Sequence, residues 1–141
     1  TDGTIVPEFS VKMTDGRTID YADFQGKVVM VTFWATWCPP CRQEMAQVQD
    51  GIIDRFAGRD FVFIPISIDE DPRAVTGFMN KNNYRFSSGL DAEKKVYGIF
   101  TTKYVPRNFI IGRDGKIAFH TVGYTSDEFE EMADRIDSML E

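Results

Sequence analysis

The chain has 141 residues, of which 43% are hydrophobic and 27% are charged, and its formal net charge is −6. These proportions predict one soluble globular domain over residues 1–141, large enough to bury a core without disulfide staples. The negative charge, and the lack of any run of lysines or arginines, exclude a surface for nucleic acid. The longest apolar run has the length of a strand, so no transmembrane helix is predicted.

The N-terminal part predicts an irregular start followed by a β-hairpin. The chain begins with Thr1 instead of methionine, which fits the removal of a signal peptide or a membrane anchor. Within residues 1–27, the segment 9–13 alternates in polarity, 14–17 supplies a turn, and 18–19 begins the return strand. A short, turn-rich connection then leads to the next element.

The middle of the chain predicts two buried strands, each followed by a helix. Residues 28–34 are apolar throughout, as expected for a central strand covered on both faces, and 61–68 are the next buried strand. The first helix extends to Phe56, and Pro39 occupies its first position, where a missing amide hydrogen matters least. The second helix covers 72–81. This order of elements implies a parallel sheet with right-handed crossovers.

The C-terminal third predicts a short helix, a hairpin and a final helix. The short helix covers 91–97 and ends at Gly98, and 99–104 is expected to be a loop. An antiparallel hairpin follows, with its turn at 112–115. The final helix begins near Ser126, after a threonine and before a glutamate with the spacing of a capping box. Its apolar stripe consists of Phe129, Met132, Ala133, Ile136, Met139 and Leu140.

The only two cysteines, Cys38 and Cys41, are spaced as Cys-x-x-Cys where the first buried strand passes into a helix. Their proximity favours an internal disulfide, and the helix N-terminus favours a thiolate at the first sulfur. A disulfide closing so short a loop would be a poor structural staple. A zinc site would need two further ligands, and the chain has a single histidine, His120. The pattern therefore indicates a redox-active dithiol that needs no cofactor or metal ion.

Two segments carry a resemblance to a known family. Residues 33–44, with the motif Trp-Cys-Pro-Pro-Cys, resemble the active site of thioredoxin-fold proteins, specifically the TlpA/ResA-like branch of the redoxin (AhpC/TSA) superfamily. Residues 105–117 are similar to the segment that carries the cis-proline of that family. The resemblance covers nearly the whole chain. It implies an α/β fold with a central mixed β-sheet flanked by helices, an N-terminal hairpin, and an insertion around 69–97 before the cis-proline strand.

The resemblance also implies a mechanism. Cys38 would be the exposed nucleophile that attacks a partner disulfide, and Cys41 would resolve the mixed disulfide, so that the two form a redox-active disulfide. Pro106, in cis, would lie against the dithiol, and the backbone of Val105 would pair with a substrate strand. Trp37 would shield one side of the dithiol. The residues expected to bind substrate are Trp37, Pro39, Pro40, Val105 and Pro106.

The residues between the cysteines bear on the reduction potential. Pro39 and Pro40 have no amide hydrogen, which leaves the amide of Cys41 as the main backbone donor to a thiolate at Cys38. No histidine lies between the cysteines to stabilise that thiolate further. Strong oxidants of this fold depend on a very stable thiolate, so we expect a potential nearer the ~−270 mV of thioredoxin than the ~−120 mV of a strong oxidant.

Glu44 is a candidate acid–base group, because it lies three residues beyond Cys41 on the same helix face. Thioredoxins use a carboxylate on the central strand for proton transfer with the resolving thiol, and this chain has Thr32 there. In the ResA-like branch, a glutamate at the position of Glu44 is implicated instead. The alternative is a first-turn acid that interacts favourably with the helix dipole. The sequence leaves both interpretations open.

Three other side chains receive structural interpretations. Trp34 is expected in the core. Arg107, which follows the candidate cis-proline, is expected to be solvated, although it could also favour a thiolate or contact a partner. His120 is expected to be an ordinary strand residue. The acidic turn over 69–71 is better explained by capping of the next helix than by calcium binding.

Three other functions exist on this fold. A thiol peroxidase would need Pro-x-x-x-Thr-x-x-Cys, and Val31 and Ala35 stand at the first two of these positions. A copper chaperone of the Sco type would need three residues between its cysteines and a nearby histidine, but the chain has two such residues and only His120. A redox-inert scaffold for protein interactions would not need an intact Cys-x-x-Cys motif.

The sequence therefore predicts a monomeric thiol:disulfide oxidoreductase that acts as a reductant outside the cytoplasm of a bacterium, in the periplasm or anchored to face it. The resemblance implies protein disulfides as substrates and a membrane-borne thiol as electron donor. Apo-cytochrome c is one substrate known in the family, and nothing in the sequence selects it.

Overall fold

The central element of the structure is a strand, Val28–Trp34, in which every residue is buried. A computed structural model describes residues 2–101 and 103–141 and places this strand within a mixed sheet. In the described part of the chain the strands are β1 (Ser10–Met13), β2 (Thr18–Asp20), β3 (Val28–Trp34), β4 (Phe61–Ile68), β5 (Gly89–Asp91), β6 (Arg107–Ile111) and β7 (Ile117–Val122). Their spatial order is β2-β1-β5-β4-β3-β6-β7, with β3 parallel to β4 and antiparallel to β6.

Helices connect these strands and cover the sheet. They are α1 (Pro39–Val48), which continues as a π-helical segment over Gln49–Asp54, α2 (Pro72–Lys81), α3 (Tyr97–Phe100) and α4 (Ser126–Leu140), with a 3₁₀ turn over Tyr21–Phe24. None of the helices in the described residues is long and apolar enough to cross a membrane.

Alternate residues of β3 enter two separate cores, as predicted for a strand covered on both faces. Val28, Met30 and Trp34 pack with α1, α2 and α4 on one face. Val29, Val31 and Phe33 pack on the other face, against a second cluster that includes Phe9, Tyr21 and Tyr97. Because both faces are covered, β3 is held firmly, and the chain that leaves its C-terminal end has a fixed starting point.

Most predicted elements are confirmed. The N-terminal hairpin, both buried strands, α2 and the β6–β7 hairpin lie where they were expected, although β6 begins two residues earlier than predicted. The hydroxyl of Thr125 caps α4 by accepting a hydrogen bond from the amide of Glu128 at 3.2 Å. Thr1, in the expected irregular start, and Thr102, in the expected loop over 99–104, lie outside the described residues.

The prediction for the segment before the cis-proline strand is wrong. The helix expected over 91–97 is absent: β5 ends at Asp91, α3 begins only at Tyr97, and Gly98 lies inside that helix. The carboxylate of Asp91 explains the difference, because it accepts hydrogen bonds from the amides of Lys95 at 2.9 Å and Tyr97 at 2.8 Å. These bonds hold a turn where the sequence pattern indicated a helix.

The first helix also departs from its prediction. The pattern indicated one α-helix as far as Phe56, but regular α-geometry ends at Val48 and a π-helical segment follows. Gly51 lies in this segment, and a Cβ there would come within 2.7 Å of the Phe129 ring on α4. The glycine therefore allows α4 to approach closely beside the end of α1.

Candidate active site

The two cysteines lie at the first turn of α1, where the chain leaves β3. Cys38 is the N-cap residue, with Pro39 and Pro40 in the first two helical positions, and both cysteines are free thiols. The amide of Cys41 donates a hydrogen bond to Sγ of Cys38 at 3.3 Å. This bond and the positive end of the helix dipole both stabilise negative charge on the Cys38 sulfur. The two cysteines thus lie together at a strand-to-helix junction, as predicted.

Cys38 is less exposed than predicted. The resemblance implied an exposed nucleophile, but only 5% of the surface of Cys38 is accessible, against 0% for Cys41. The cause is the chain opposite: the Cys38 thiol donates to the carbonyl of Val105 at 3.6 Å. Cys38 is still the more accessible of the two sulfurs, and the exposed Trp37, with 58% of its surface accessible, lies beside it in the sequence. Access to the dithiol is therefore from the N-terminal end of α1.

The Val105–Pro106 peptide bond is cis, as the resemblance implied. Pro106 is buried, and its carbonyl accepts a hydrogen bond from the amide of Gly123 at 2.9 Å, which ties this segment to the end of β7. The half-buried Val105 brings its backbone against Cys38. The segment expected to bind substrate thus lies directly opposite the nucleophilic sulfur.

Glu44 is buried beneath the dithiol, with 1% of its surface accessible. Burial raises its pKa to about 7, although a hydrogen bond from Asn108 acts in the opposite direction. Burial, followed by the hydrogen bond with Cys38, also raises the pKa of Cys41 strongly. Because Glu44 lies in the second turn of α1 and away from solvent, the alternative of a first-turn acid acting on the helix dipole is wrong.

A row of polar side chains crosses the sheet under Glu44. The strand register aligns Thr32 on β3, Asn108 on β6 and Thr121 on β7. The hydroxyl of Thr32 donates to Oδ1 of Asn108 at 2.7 Å. The Nδ2 group of Asn108 donates to Oε1 of Glu44 and to Oγ1 of Thr121, each at 3.0 Å. The position that holds a carboxylate in thioredoxins is thus linked to Glu44 through Asn108.

Sequence reasoning missed Asn108. The available signal was an amide side chain within an otherwise apolar strand, because buried polar groups need partners and therefore mark a network. Its partners on β3 and α1 are 76 and 64 residues away in the chain, so only the folded sheet identifies them.

The loop before the dithiol is held by a second carboxylate, Glu70, for which the sequence indicated only a place in the acidic turn that caps α2. Glu70 accepts hydrogen bonds from the amide and hydroxyl of Thr36 and from the hydroxyl of Ser67, the first at 3.0 Å and the last at 2.7 Å. Arg42 donates to the carbonyl of Thr36 at 2.9 Å. Within the acidic turn, Asp71 caps α2 as predicted, whereas Glu70 fixes the approach to Cys38.

The expectation of a solvated Arg107 is wrong, since only 8% of its surface is accessible. Its guanidinium donates to Oγ1 of Thr101 at 2.8 Å and to the carbonyls of Lys103 and Thr121 at 3.1 and 3.3 Å, and lies 5.0 Å from the Phe109 ring centroid. Arg107 therefore holds together the loop that precedes the cis-proline. These partners are backbone carbonyls and a hydroxyl, which the linear pattern does not reveal.

Trp34 and His120 have structural roles. Trp34 is buried, as predicted, and its indole donates to Oγ of Ser88 at 3.0 Å. His120 lies on the edge strand β7 with its Nδ1 at 2.7 Å from a carboxylate oxygen of Asp2. In the described part of the chain, no three His, Cys, Asp or Glu side chains cluster closely enough to hold a metal ion.

Comparisons with known proteins agree with this geometry. The sequence pattern of the AhpC/TSA family matches residues 3–120. The thiol-disulfide oxidoreductase ResA of Bacillus thuringiensis (strain Al Hakam) is 30% identical over 126 residues, or 89% of this chain and 72% of that protein.

Two solved structures confirm the predicted α/β thioredoxin-like fold. One is a candidate protein disulfide isomerase from Bacteroides thetaiotaomicron, with a TM-score of 0.92 and 31% identity, covering 99% of this chain and 90% of that one. The other is a thiol:disulfide interchange protein of the thioredoxin family from Chlorobium tepidum TLS, with a TM-score of 0.75 and 30% identity, covering 94% and 97%.

The buried carboxylate predicts a pH-dependent stability. The pKa of Glu44 is about 7 in the folded protein and ordinarily 4.5, so between these values the folded state holds a proton that the unfolded state has lost. The free energy of unfolding therefore decreases as the pH rises from 4.5 to 7, by about 3 kcal/mol in total. The glutamine side chain in Glu44→Gln is always neutral, so the free energy of unfolding of this variant should not show this decrease. Urea unfolding of the reduced proteins should show the variant to be more stable than the wild type at pH 8 and similar to it at pH 4.5. Equal stability of the two proteins at pH 8 would contradict the burial of a charged carboxylate.

Proposed function

The chain belongs to the AhpC/TSA family and is a ResA-like thiol:disulfide oxidoreductase, and we propose that it acts as an extracytoplasmic reductant of protein disulfides. The observation that carries this proposal is the dithiol at the first turn of α1, where Sγ of Cys38 accepts the Cys41 amide and faces the carbonyl of Val105. A partially accessible sulfur is thus paired with a fully buried one.

In the proposed reaction, the Cys38 thiolate attacks one sulfur of a substrate disulfide. The substrate S–S bond breaks, its second sulfur leaves as a thiolate that takes a proton from solvent, and a mixed disulfide forms at Cys38. Cys41 then transfers its proton to Glu44 and attacks Sγ of Cys38. The bond between Cys38 and the substrate breaks, and the substrate sulfur leaves as a thiolate that takes a proton from solvent. The substrate is then a dithiol, and the protein holds the Cys38–Cys41 disulfide. Two electrons pass from protein to substrate, and a membrane-borne thiol donor restores the dithiol.

The direction of the reaction follows from the limited stabilisation of the Cys38 thiolate. Among the described residues, the Cys41 amide is the one backbone amide that donates a hydrogen bond to Sγ of Cys38, because Pro39 and Pro40 have no amide hydrogen. A reduced form that is only moderately stabilised gives up electrons more readily than the reduced form of a strong oxidant does. The dithiol is therefore suited to reducing its partners.

The proposed substrate site surrounds the accessible side of Cys38. Trp37, Pro39 and Pro40 are exposed there and offer apolar contact surface. On the opposite side lies the backbone of Val105 and the cis-bonded Pro106, with which a substrate strand would pair. A substrate disulfide bound between these two sides would lie in line with Sγ of Cys38.

The remaining parts of the proposal rest on the family resemblance. They are a location outside the bacterial cytoplasm, a membrane-borne thiol as electron donor, and a monomeric state.

Replacement of the resolving cysteine should trap substrates. Reduced Cys41→Ser, mixed with insulin whose disulfides are intact, should accumulate a mixed disulfide. This species should appear as a covalent adduct on a non-reducing gel and disappear with dithiothreitol. Cys38→Ser, the matched control, should form no adduct, because its remaining sulfur is fully buried. Adducts formed equally by both variants would contradict the assignment of Cys38 as nucleophile.

The reduction potential should lie nearer the ~−270 mV of thioredoxin than the ~−120 mV of a strong oxidant, since one backbone amide stabilises the Cys38 thiolate. Equilibration with glutathione at a series of ratios, followed by alkylation of free thiols and mass analysis, measures this value. A result close to that of the strong oxidant would refute the proposed role as a reductant.

Glu44 should control the pH dependence of resolution. With 5,5′-dithiobis(2-nitrobenzoate), attack by Cys38 releases the first thionitrobenzoate and resolution by Cys41 releases the second, so absorbance separates the two steps. The carboxylate accepts a proton only when ionised, so the second rate should rise with pH to a plateau above about 7. Glu44→Gln should lower this rate about 100-fold at pH 8 and remove the plateau, leaving a rate that follows ionisation of Cys41 alone.

The first release provides the internal control of that experiment, because Cys38 does not depend on Glu44 in the proposed mechanism. A second release in Glu44→Gln with the same rate and pH profile as in the wild type would show that Glu44 is only structural.

A further inference from the structure

Glu44 accepts the proton of Cys41 in the proposed function, on which this inference rests, and must then pass it to solvent. Both groups are buried, with 0% of Cys41 and 1% of Glu44 accessible. The opening beside Cys38 cannot serve as an exit during resolution, because the substrate is then still bonded to Cys38. A second route out of the protein would let the proton leave while the substrate is still bound.

A small cavity lies against Glu44 and leaves about 10 Å³ for the centre of a water molecule, which is room for about one water. The residues that line it include the buried Glu44 and Asn108 and the exposed Thr125 and Glu128 at the start of α4. The half-buried residues Thr121 and Tyr124 also line the cavity. The cavity thus joins the buried carboxylate to the protein surface at the start of α4.

The two oxygens of the Glu44 carboxylate are in different situations. Oε1 accepts the hydrogen bond from Asn108, whereas Oε2 is buried and has no hydrogen-bond partner among the described residues. An unpartnered buried carboxylate oxygen is costly, so a polar cavity beside it is a site where a water molecule binds favourably. Thr121 can supply a second partner, because its Oγ1 accepts from Asn108 and its own proton is not used in that bond.

We propose that this cavity binds a water molecule that carries protons between Glu44 and solvent, and that Asn108 is the positioning residue that keeps Glu44 turned between Cys41 and the cavity. During resolution, the Cys41 proton moves to the Glu44 carboxylate, and the resulting carboxylic acid passes a proton through the water to the surface. When the disulfide is reduced again, the proton returns by the same route. No electrons move in these steps.

Three hydrogen bonds fix the side chain of Asn108. Its Oδ1 accepts from Thr32, which sets the orientation of the amide, and its Nδ2 then points to both Glu44 and Thr121. The bond to Oε1 holds one carboxylate oxygen and leaves Oε2 for the water. The same bond opposes the effect of burial on the pKa of Glu44, so it keeps the carboxylate able to ionise near neutral pH.

The water can be detected directly. In the reduced wild-type protein, the side-chain amide protons of Asn108 should show rotating-frame Overhauser cross-peaks to water in NMR spectra, since a water in this cavity lies beside them. Thr121→Val, which keeps the shape of the side chain but removes its hydroxyl, should weaken or remove these cross-peaks. The absence of cross-peaks in the wild type would overturn the proposal.

The kinetic test uses the second thionitrobenzoate release, which reports resolution by Cys41. Thr121→Val should slow this step about tenfold above pH 7, which is the effect of losing one hydrogen bond of ordinary strength, and Thr121→Ser should regain most of the rate because it restores the hydroxyl. Thr18→Val is the matched control on β2, at the opposite edge of the sheet, and should behave as the wild type.

Asn108→Leu should shift the rise of the rate to higher pH, because it removes the bond that favours the ionised carboxylate.

The outcomes separate this inference from the proposed function. If Glu44→Gln leaves the pH profile unchanged, both fail, because Glu44 then carries no proton. If Glu44→Gln has its expected effect but Thr121→Val resolves at the wild-type rate with the wild-type profile, the proton route through the cavity is wrong and the role of Glu44 stands. If Asn108→Leu leaves the pH profile of the second release unshifted, Asn108 has only a structural role.

Discussion

The hydrogen bond from the Cys41 amide to Sγ of Cys38 is the interaction on which the site depends. It exists because β3, buried on both faces, delivers the chain to a fixed point from which α1 starts. Two prolines in the first helical positions start the helix without adding further amide donors to the sulfur. In the proposed mechanism, the same turn of chain makes Cys38 the nucleophile and limits how far its thiolate is stabilised, which connects local backbone geometry to the proposed direction of electron transfer.

Burial has opposite consequences for the two partners below that turn. It raises the pKa of Cys41, which makes the resolving thiol a poor nucleophile without help, and it raises the pKa of Glu44 to about 7, which makes the carboxylate a suitable proton acceptor near neutral pH. The buried acid therefore destabilises the folded state, and the proposed chemistry at the dithiol depends on it. The polar row through Asn108 limits that cost by satisfying one of the two carboxylate oxygens.

Local patterns in the sequence predicted the parts of the site that are contiguous in the chain. The apolar run at β3, the Cys-x-x-Cys spacing and the prolines are all within fourteen residues, so strand, helix start and dithiol were visible together. Asn108, Glu70 and Arg107 were missed or misjudged because their partners come from other strands and loops. Similarly, the turn held by Asp91 depends on side-chain capping that outweighs a helical pattern. Pairing across the sheet, and not residue type, decides these roles.

The proposed mechanism therefore assigns sulfur exchange and proton exchange to separate parts of the site. In the proposed mechanism, sulfur exchange takes place at the N-terminal end of α1, between the exposed Trp37 and the Val105 carbonyl. Proton exchange, as proposed above, would use Glu44 and the cavity at the start of α4. Such a division follows from the chemistry, because a protein substrate bonded to Cys38 occupies the route by which a proton would otherwise leave. In the proposed mechanism, the cavity beside Glu44 therefore allows the buried thiol to lose its proton while a bulky substrate is still bonded to Cys38.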